Sequence, residues 1–358
     1  MKLLYGVQGT GNGHISRANA IGAALEQLGV DITWLFSGRP REELFGVADN
    51  FLWRRGMTFA TRDGRVNYFK TMLTNNLVQC IREVRNLRLE DYDTIIVDFE
   101  PVTGWAARLR GRKTIGIGHQ YAFAYGIPVA GANLVASGIL NYFGPATESL
   151  GLHWHHFNYP ILPPVVDMLG NTRDFVDDKK VVVYLPFENQ ETVTRMLRIF
   201  DRQEFYIYGP GLRHNDNCNI HTRPLSKVAF KQDLVNASAV ICNSGFELIS
   251  ECLTLGIRVL TKPLDKQMEQ LSNAFALEQL DYAAVMQQLD QKRIADWLEE
   301  DRAVRINYPA VHENIAAWLV GSKRTSIEQL ATDLWAKVEV ERTTLAELTA
   351  GTTTAKAS

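Results

Sequence analysis

A histidine follows three closely spaced glycines near the start of the chain, in the run Val7-Gln-Gly-Thr-Gly-Asn-Gly-His14. Gly9, Gly11 and Gly13 allow positive φ angles and a close approach of the backbone to a ligand. A helical pattern follows, and the N–H groups and positive dipole end of such a helix favour an anion or sugar hydroxyls. Because that dipole disfavours an imidazolium cation, we predict that His14 is a neutral general base; the alternative is a structural cap.

The glycine loop departs from the dinucleotide-binding fingerprint in two places. A G-x-G-x-x-G motif that begins at Gly9 requires glycine at position 14, where His14 stands. The second predicted strand ends in Ser37-Gly38-Arg39, without the acidic residue that binds a ribose in that fingerprint. An NADP site that uses Arg39 is the remaining dinucleotide alternative.

Two carboxylates follow a neighbouring predicted strand, in the run Asp98-Phe-Glu100-Pro101. They stand at the carboxyl edge of the strand, where open α/β sheets bind their ligands. Either Asp98 or Glu100 could orient His14 or act as the base itself. The alternative is that the carboxylate caps a helix that begins at Pro101.

The segment from Asn243 to Asn273 is the most specific in the chain. A predicted strand leads through Asn243, Ser244 and Gly245 into a helix N-terminus, which suits a diphosphate. Glu251, two turns into that helix, can accept hydrogen bonds from the two hydroxyls of a ribose. After the next strand come a carboxylate and an amide that suit hexose hydroxyls. The predicted donor-binding set is Asn243, Ser244, Gly245, Phe246, Glu247, Glu251, Glu269 and Gln270.

These two regions together resemble glycosyltransferases of the GT-B fold, especially the bacterial family that transfers N-acetylglucosamine to lipid I. That family combines a glycine loop ending in histidine with a serine-glycine, glutamate, glycine, proline, glutamine and asparagine-alanine pattern. Here the pattern reads Ser244, Gly245, Glu251, Gly256, Pro263, Gln270, Asn273 and Ala274. A little-characterised prokaryotic branch that carries Gly-Phe-Glu-Leu-Ile-Ser-Glu is also similar.

The resemblance implies an inverting, metal-independent glycosyltransferase in cell-envelope polysaccharide synthesis, with a nucleotide-sugar donor, UDP-linked, and no further cofactor. Glu251 would bind the ribose, Ser244 and Gly245 the diphosphate, and Glu269 and Gln270 the donor sugar. Relatives often carry Gln-Gln or Asp-Gln where this chain has Glu-Gln. The acceptor loops of the lipid I enzyme have no counterpart here. The acceptor therefore stays open between a glycan, a lipid-linked sugar and a small molecule.

Further polar residues could complete the cleft. His119 and Gln120 follow the strand beside that of Asp98 and can line the same cleft. Arg223 and Lys227 could stabilise the leaving diphosphate together with the helix N-terminus. Two other functions share this pattern: a nucleotide-sugar 2-epimerase-like isomerase, and a catalytically silent nucleotide-sugar-binding protein.

Short apolar runs alternate with helical patterns along the whole chain. They predict an α/β fold of two Rossmann-like βαβ domains, with parallel sheets that face each other across a cleft. The predicted strands are Lys2–Val7, Asp31–Phe36, Thr94–Asp98, Thr114–Gly118, Lys180–Leu185, Glu204–Tyr208, Ala239–Cys242 and Arg258–Thr261. The predicted helices of the second half are Glu191–Phe200, Phe246–Leu255, Gln267–Leu280 and Lys292–Glu300.

Three prolines within Tyr159–Asp167 predict a linker about which the domains close. We therefore predict an acceptor-side domain at 1–160, a linker at 161–178 and a donor-binding domain at 179–325. A C-terminal helix and a disordered tail are predicted in 326–358, with the helix over Ser326–Leu348 and the tail at Thr352–Ser358.

Composition limits the class of protein. The 358 residues, 46% hydrophobic and 22% charged, are typical of a two-domain globular protein. The four cysteines form no C-x-x-C pair, which predicts reduced, mostly buried thiols and neither a disulfide framework nor a zinc site. A net charge of −2 argues against nucleic-acid binding.

Charge and hydropathy also bear on location. No apolar run is long enough for a signal peptide or a membrane span, which predicts a cytoplasmic protein. Residues 1–165 carry 16 Lys/Arg and 13 Asp/Glu, a net +3. Their arginines cluster at Arg82, Arg85 and Arg88 and again near Arg110. We therefore expect either a solvated basic face or a peripheral contact with the inner face of the membrane.

Overall fold

The computed structural model of the chain describes residues 1–44, 46–58, 61–62, 65–66, 75–132, 138, 140, 142–166, 173, 175–344 and 347. Two mainly parallel sheets with flanking helices organise them into two α/β domains, as predicted. Residues 167–172 and 174 of the predicted linker, and the predicted tail Thr352–Ser358, lie outside the described residues.

The first domain is built on a six-stranded sheet. The eight strands described in this domain are β1 (Lys2–Gln8), β2 (Asp31–Ser37), β3 (Phe51–Trp53), β4 (Thr61–Arg62), β5 (Arg65–Val66), β6 (Thr94–Asp98), β7 (Ile115–Gly118) and β8 (Glu148–Gly151). The spatial order is β3-β2-β1-β6-β7-β8, all parallel, whereas β4 and β5 form a separate antiparallel pair. The helices are α1 (Asn12–Gln27), α2 (Leu77–Asn86) and α3 (Pro101–Leu109), with 3-10 turns at Arg41–Glu43 and His119–Ala124.

The second domain contains a seven-stranded sheet. Its strands are β9 (Asp177–Tyr184), β10 (Glu204–Tyr208), β11 (Asn215–Asn217), β12 (Ile220–Arg223), β13 (Ala237–Asn243), β14 (Arg258–Lys262) and β15 (Ala284–Val285). They lie in the order β11-β12-β10-β9-β13-β14-β15, and the edge strand β11 is antiparallel to β12. The helices are α4 (Gln190–Leu197), α5 (Lys227–Asn236), α6 (Phe246–Leu255), α7 (Met268–Gln279) and α8 (Gln291–Leu298).

A further antiparallel pair and two helices complete the described part of the chain. The strands are β16 (Arg302–Asn307) and β17 (Glu339–Thr344), and the helices are α9 (Val311–Val320) and α10 (Ile327–Trp335). The predicted helix over Ser326–Leu348 is therefore wrong for residues 336–344, whereas 345, 346 and 348 lie outside the described residues. Arg302–Asn307 pairs with the later segment through main-chain hydrogen bonds, so tertiary pairing overrides the helical pattern there.

The strand order predicts where each sheet binds a ligand. In each sheet the chain moves outward from a central strand and then returns to the other side of that strand. The reversal falls between β1 and β6 in the first sheet and between β9 and β13 in the second. Ligands of open α/β sheets bind beyond the carboxyl ends of the strands at such a reversal. The predicted site residues follow three of these four strands.

Apolar sequence on both faces explains why these strands lie at the centre. Every residue of β13 is buried, and β1 exposes only its first residue, Lys2. Strands covered by helices on both sides need such continuous apolar runs. The core then continues between the domains: α9 packs against α1, and Trp154 Nε1 donates a 2.8 Å hydrogen bond to Ser250 Oγ of α6.

The proline-rich segment is packed rather than extended into solvent. Ile161 and Leu162 are buried, and Leu162 forms a parallel bridge with Leu152 after β8. The indole of Trp335 donates a 2.6 Å hydrogen bond to the carbonyl of Ile161. Strand β9 begins at Asp177, so the last two residues of the predicted linker, 177 and 178, belong to this strand.

Candidate active site

The glycine loop joins β1 to α1 without the positive φ angles that we predicted. Gly9, Gly11 and Gly13 all have negative φ or extended backbone, so that part of the prediction is wrong. Their small size is used instead for close approach. A Cβ on Gly9 would lie 2.9 Å from the carbonyl of Ser37, and one on Gly13 would overlap the carboxylate of Glu247.

Arg39 holds this loop in place. Its guanidinium donates to the carbonyl of Thr10 at 2.8 Å and to Asn12 Oδ1 at 2.9 Å. Burial lowers the pKa of Arg39, and Glu43 and Tyr184 oppose that shift. Arg39 thus bonds to the glycine loop itself, a contact that gives no support to the NADP alternative.

His14 lies in the first turn of α1 and contacts Asp98 at the end of β6. Its Nδ1 is 2.6 Å from Asp98 Oδ1, and the histidine side chain is 13% exposed while Asp98 is fully buried. An Nδ1–H that donates to the carboxylate leaves the lone pair on Nε2. Among the described residues Nε2 has no hydrogen-bond partner. His14 can therefore accept a proton from a group in the cleft.

Arg17, one turn after His14, neutralises the buried carboxylate. It binds Asp98 through two hydrogen bonds, Nε to Oδ2 at 2.9 Å and Nη2 to Oδ1 at 2.6 Å. Its Nη1 forms an ion pair with Glu247 in the first turn of α6. Burial alone would raise the pKa of Asp98, but Arg17 and His14 outweigh it, and the pKa lies below its usual value. Asp98 is therefore ionised at neutral pH.

Glu100 is a helix cap rather than a partner of His14. Its carboxylate accepts the backbone N–H groups of Val102 at 2.9 Å and Thr103 at 2.6 Å, and the Ser37 hydroxyl at 2.6 Å. It is fully buried, and burial raises its pKa. Of the two carboxylates considered, the structure brings only Asp98 into contact with the histidine. Capping of α3 accounts for Glu100.

Phe99 separates these two carboxylates in a strained turn. Its φ of 50° lies in the left-handed region, which a bulky residue seldom adopts. The ring packs between His14 and Phe143, with centroid distances of 6.4 and 5.0 Å. This turn directs Asp98 towards α1 and Glu100 towards α3.

His119 and Gln120 lie where the domains meet. His119 is fully buried, stacks on Phe246 with ring centroids 4.1 Å apart, and bonds Asn273 Oδ1 through Nε2 at 2.6 Å. Gln120 Nε2 donates to Glu269 Oε1 at 3.1 Å. His119 is thus a residue of the domain interface. Gln120, in contrast, lies close to His14 and Asp98.

The surroundings of Gly118 show how close Gln120 is. A Cβ on Gly118 would lie 3.2 Å from Gln120 Oε1, 3.3 Å from Arg17 Nη2 and 3.6 Å from Asp98 Oδ1. Gln120 Oε1 is buried and has no hydrogen-bond partner among the described residues. It is therefore a free acceptor close to the His14–Asp98 pair.

The N-terminus of α6 carries several residues of the predicted donor-binding set. Gly245 is its N-cap, with no side-chain cap and no atom within 4 Å of a Cβ placed there. The side chains of Asn243 and Ser244 are buried beside it, bonded to the carbonyl of Lys262 and the hydroxyl of Thr261. Asn243 Oδ1 has no partner among the described residues. The uncapped N–H groups and dipole of the helix suit an anion.

Two other members of the predicted donor set are fixed by this chain's own contacts. Glu251 is buried and forms an ion pair with Lys231 of α5. Gln270 Oε1 accepts the backbone N–H of Leu264 at 3.0 Å. A ribose at Glu251 would therefore share its carboxylate with Lys231.

Arg223 is not brought to these groups. It pairs with Asp216 at 2.7 Å and lies over the ring of Tyr206, on the side of the sheet near its antiparallel edge. The residues that sequence reasoning missed are Arg17 and Lys231. The i, i+3 spacing of Arg17 from His14 on one helix was the available signal.

Two further properties concern metal ions and membranes, and both hold for the described part of the chain. There, no group of three or more His, Cys, Asp or Glu side chains is placed to hold a metal ion. None of the helices described is both long and apolar enough to cross a membrane. Three of the four cysteines are buried and Cys218 is exposed.

Solved glycosyltransferase structures share this architecture. MurG from Acinetobacter baumannii matches with 16% identity and a TM-score of 0.50, over 93% of this chain and 92% of MurG. The glycotransferase of kitacinnamycin matches with 14% identity and a TM-score of 0.57, over 94% and 95%. The spinosyn rhamnosyltransferase SpnG with thymidine diphosphate matches with 12% identity and a TM-score of 0.53, over 97% and 98%. A comparison with curated protein sequences finds no match.

The two parallel-sheet domains give the chain the GT-B fold that these glycosyltransferases share. Glycosyl transferase family 1 matches this sequence over residues 1–139 and 153–300. The chain belongs to that family.

Proposed function

We propose that the protein transfers a hexose-type sugar, with inversion, from a nucleoside-diphosphate donor to an acceptor hydroxyl. The observation that carries the proposal is the His14–Asp98 contact of 2.6 Å, which Arg17 links to Glu247 in the first turn of α6. One half of the site can remove a proton, and the other half can stabilise an anionic leaving group.

The chemistry follows from these two halves. Nε2 of His14 takes the proton of the acceptor hydroxyl while the hydroxyl oxygen bonds to the anomeric carbon. The bond from that carbon to the diphosphate oxygen breaks on the opposite side, which inverts the configuration. Asp98 stabilises the imidazolium, and the N–H groups of α6 stabilise the leaving diphosphate without a metal ion. Glu100 is left with a capping role.

The donor is proposed to lie along α6, with its ribose at Glu251 and its sugar near Glu269. The free acceptors Asn243 Oδ1 and Gln120 Oε1 support this placement, because a buried oxygen without a donor suits a ligand hydroxyl. Gln270, bonded to the main chain at Leu264, would shape the sugar site. UDP is the proposed nucleotide. The thymidine diphosphate bound by SpnG makes TDP the natural second candidate.

Thermal stabilisation tests the nucleotide class. We expect UDP or TDP at 100 times its Kd to stabilise the protein by about 2.7 kcal/mol. ADP and GDP at the same concentration should stabilise it less. Addition of EDTA should leave both this shift and any transfer unchanged. Failure of all four diphosphates to stabilise the folded protein would contradict the proposal.

Product analysis separates glycosyl transfer from related functions. Incubation with a UDP- or TDP-sugar panel and acceptor alcohols should yield nucleoside diphosphate and a glycoside of inverted configuration. A 2-epimerised nucleotide sugar, formed without any acceptor, would indicate an isomerase instead. Binding with neither product would indicate a silent binding protein. The spinosyn aglycone bound by SpnG suggests small-molecule acceptors as the first to test, and the resemblance to the lipid I family adds lipid-linked ones.

We also propose a peripheral contact of the first domain with an anionic lipid surface, at the inner face of the membrane. Helix α2 exposes Leu77, Val78 and Ile81 by 62%, 59% and 52%. The exposed Arg82 and Arg85 lie on the same helix. Apolar side chains that can enter the lipid, next to arginines worth about 1 kcal/mol each near anionic headgroups, suit such a contact.

Vesicle sedimentation tests this contact. The protein is expected to bind vesicles that contain roughly 30% anionic lipid more tightly than neutral ones. Ile81→Glu should lower that binding by about 10-fold, because it adds a negative charge that the anionic lipid repels and removes apolar area. Ile199→Glu, at a residue 61% exposed in the second domain, is the matched control. Equal loss in both variants would contradict a specific role of α2.

A further inference from the structure

Arg17 is a deeply buried cation at the meeting point of the domains. Only 1% of its side chain is exposed. It donates two hydrogen bonds to Asp98 of the first domain, at 2.6 and 2.9 Å, and forms its ion pair with Glu247 of the second. One guanidinium therefore joins two carboxylates that belong to different domains.

The two carboxylates keep Arg17 charged in spite of its burial. Burial alone would lower the pKa of Arg17, but Asp98 and Glu247 raise it above its usual value, so the guanidinium stays charged. Asp98 is fully buried, whereas Glu247 retains 22% exposure. Separation of α6 from α1 would remove Glu247 and leave Arg17 held on one side only.

The guanidinium also lies within reach of the histidine. Arg17 Nη2 is 2.9 Å from His14 Nδ1 and 2.6 Å from Asp98 Oδ1. A donor at Nδ1 favours the tautomer with hydrogen on Nε2, and that tautomer cannot accept a proton from a substrate. The hydrogen bond from Nδ1–H to Asp98 favours the opposite, reactive tautomer. The position of Nη2 therefore bears on which tautomer His14 adopts.

We propose that Arg17 is a positioning residue that couples closure of the donor domain to the reactive tautomer of His14. Glu247, in the first turn of α6, holds Nη1 and so keeps Nη2 and Nε on Asp98. In the closed arrangement Nη2 is shared between Asp98 Oδ1 and His14 Nδ1. Opening of the domains releases Nη1 and lets Nη2 move from Asp98 to Nδ1. The base is thereby assembled only when α6 lies against the glycine loop. This inference rests on the proposed function for its catalytic consequence, but the coupling can be measured without turnover.

Kinetics distinguish this role of Glu247 from direct donor binding. Glu247→Gln is expected to lower kcat by about 10-fold with the donor KM changed less than about threefold, because an interaction made only on assembly of the base is lost. Arg17→Lys, which keeps the charge but cannot fork between two carboxylates, should lower kcat by about 100-fold. The double variant should be no slower than Arg17→Lys alone, because both changes break one unit. A raised donor KM with unchanged kcat in Glu247→Gln would overturn the proposal.

Histidine ¹⁵N NMR provides the readout that does not depend on turnover. The signals of His14, assigned by their loss in His14→Gln, should show hydrogen on Nδ1 in the wild type at pH 8. Glu247→Gln should shift the population towards hydrogen on Nε2, although its substitution lies in the other domain. An unchanged tautomer in both Glu247→Gln and Arg17→Lys would overturn the inference and leave the proposed function intact.

A second buried arginine offers a matched control. Arg258 of β14 is also buried, and its guanidinium donates to the carbonyl of Glu300, away from the candidate site. Arg258→Lys should lower the melting temperature without changing the His14 tautomer or the ratio of kcat to donor KM. Failure of the proposed function would appear differently, as wild-type turnover in a folded His14→Ala variant.

Discussion

His14→Ala is expected to lower kcat by about 10²–10⁴-fold, the range that a positioned general base supplies. The affinity for UDP should stay within about twofold of wild type, because the proposed reaction has His14 act on the acceptor. Steady-state kinetics with a nucleotide-sugar donor, together with calorimetric titration of UDP, separate the two quantities. The prediction follows from the contact of His14 with the ionised Asp98.

Two further variants frame this result. Asp98→Asn keeps the shape of the partner but loses its charge, so it should reduce kcat to a similar extent while the protein stays folded. His214→Ala, at an imidazole that is 68% exposed, should leave turnover unchanged. Near wild-type turnover in folded His14→Ala would remove His14 as the base.

Glu251→Gln is expected to weaken donor binding by roughly 10- to 100-fold, as expected for hydrogen bonds to a charged group worth about 1.5–3 kcal/mol. The amide keeps the size of the side chain but loses the charge that would accept two ribose hydroxyls. At saturating donor, kcat should change by less than about threefold. Calorimetric titration of UDP and the donor KM measure the effect.

The ion pair with Lys231 requires a control, because its loss leaves a buried ammonium group without its carboxylate. We expect the melting temperature to fall in Glu251→Gln, so affinities should be compared well below it. Glu278→Gln, at an exposed carboxylate on α7, should change neither the stability nor the donor affinity. Unchanged UDP affinity in Glu251→Gln would contradict the placement of the ribose.

Buried elements were predictable because their apolar runs are unambiguous. Thr94–Asp98, Glu204–Tyr208 and Phe246–Leu255 have the predicted bounds. The strand Asn215–Asn217, in contrast, is wholly exposed and polar, so periodicity gives no signal for it. Glu339–Thr344 is mostly polar and exposed, and it becomes a strand only because Arg302–Asn307 pairs with it.

The candidate site shows the same division between local and long-range information. A carboxylate before Pro101 suits a cap as well as a base, so sequence alone left Glu100 open between them. The partners of Arg17 lie 81 and 230 residues further along the chain, and no local pattern brings them together. His14 could be predicted as a site residue because its glycine loop marks the start of a helix.

Packing of α9 against α1 has a consequence for synthesis of the protein. The ribosome completes α1 nearly 300 residues before it adds Val320, roughly 15–60 s at about 5–20 residues per second. During that interval the surface of α1 that α9 covers has no native neighbour. The nascent first domain therefore offers chaperones a binding surface until the second domain has been translated. The helix that carries His14 is among the last parts of the first domain to be fully enclosed.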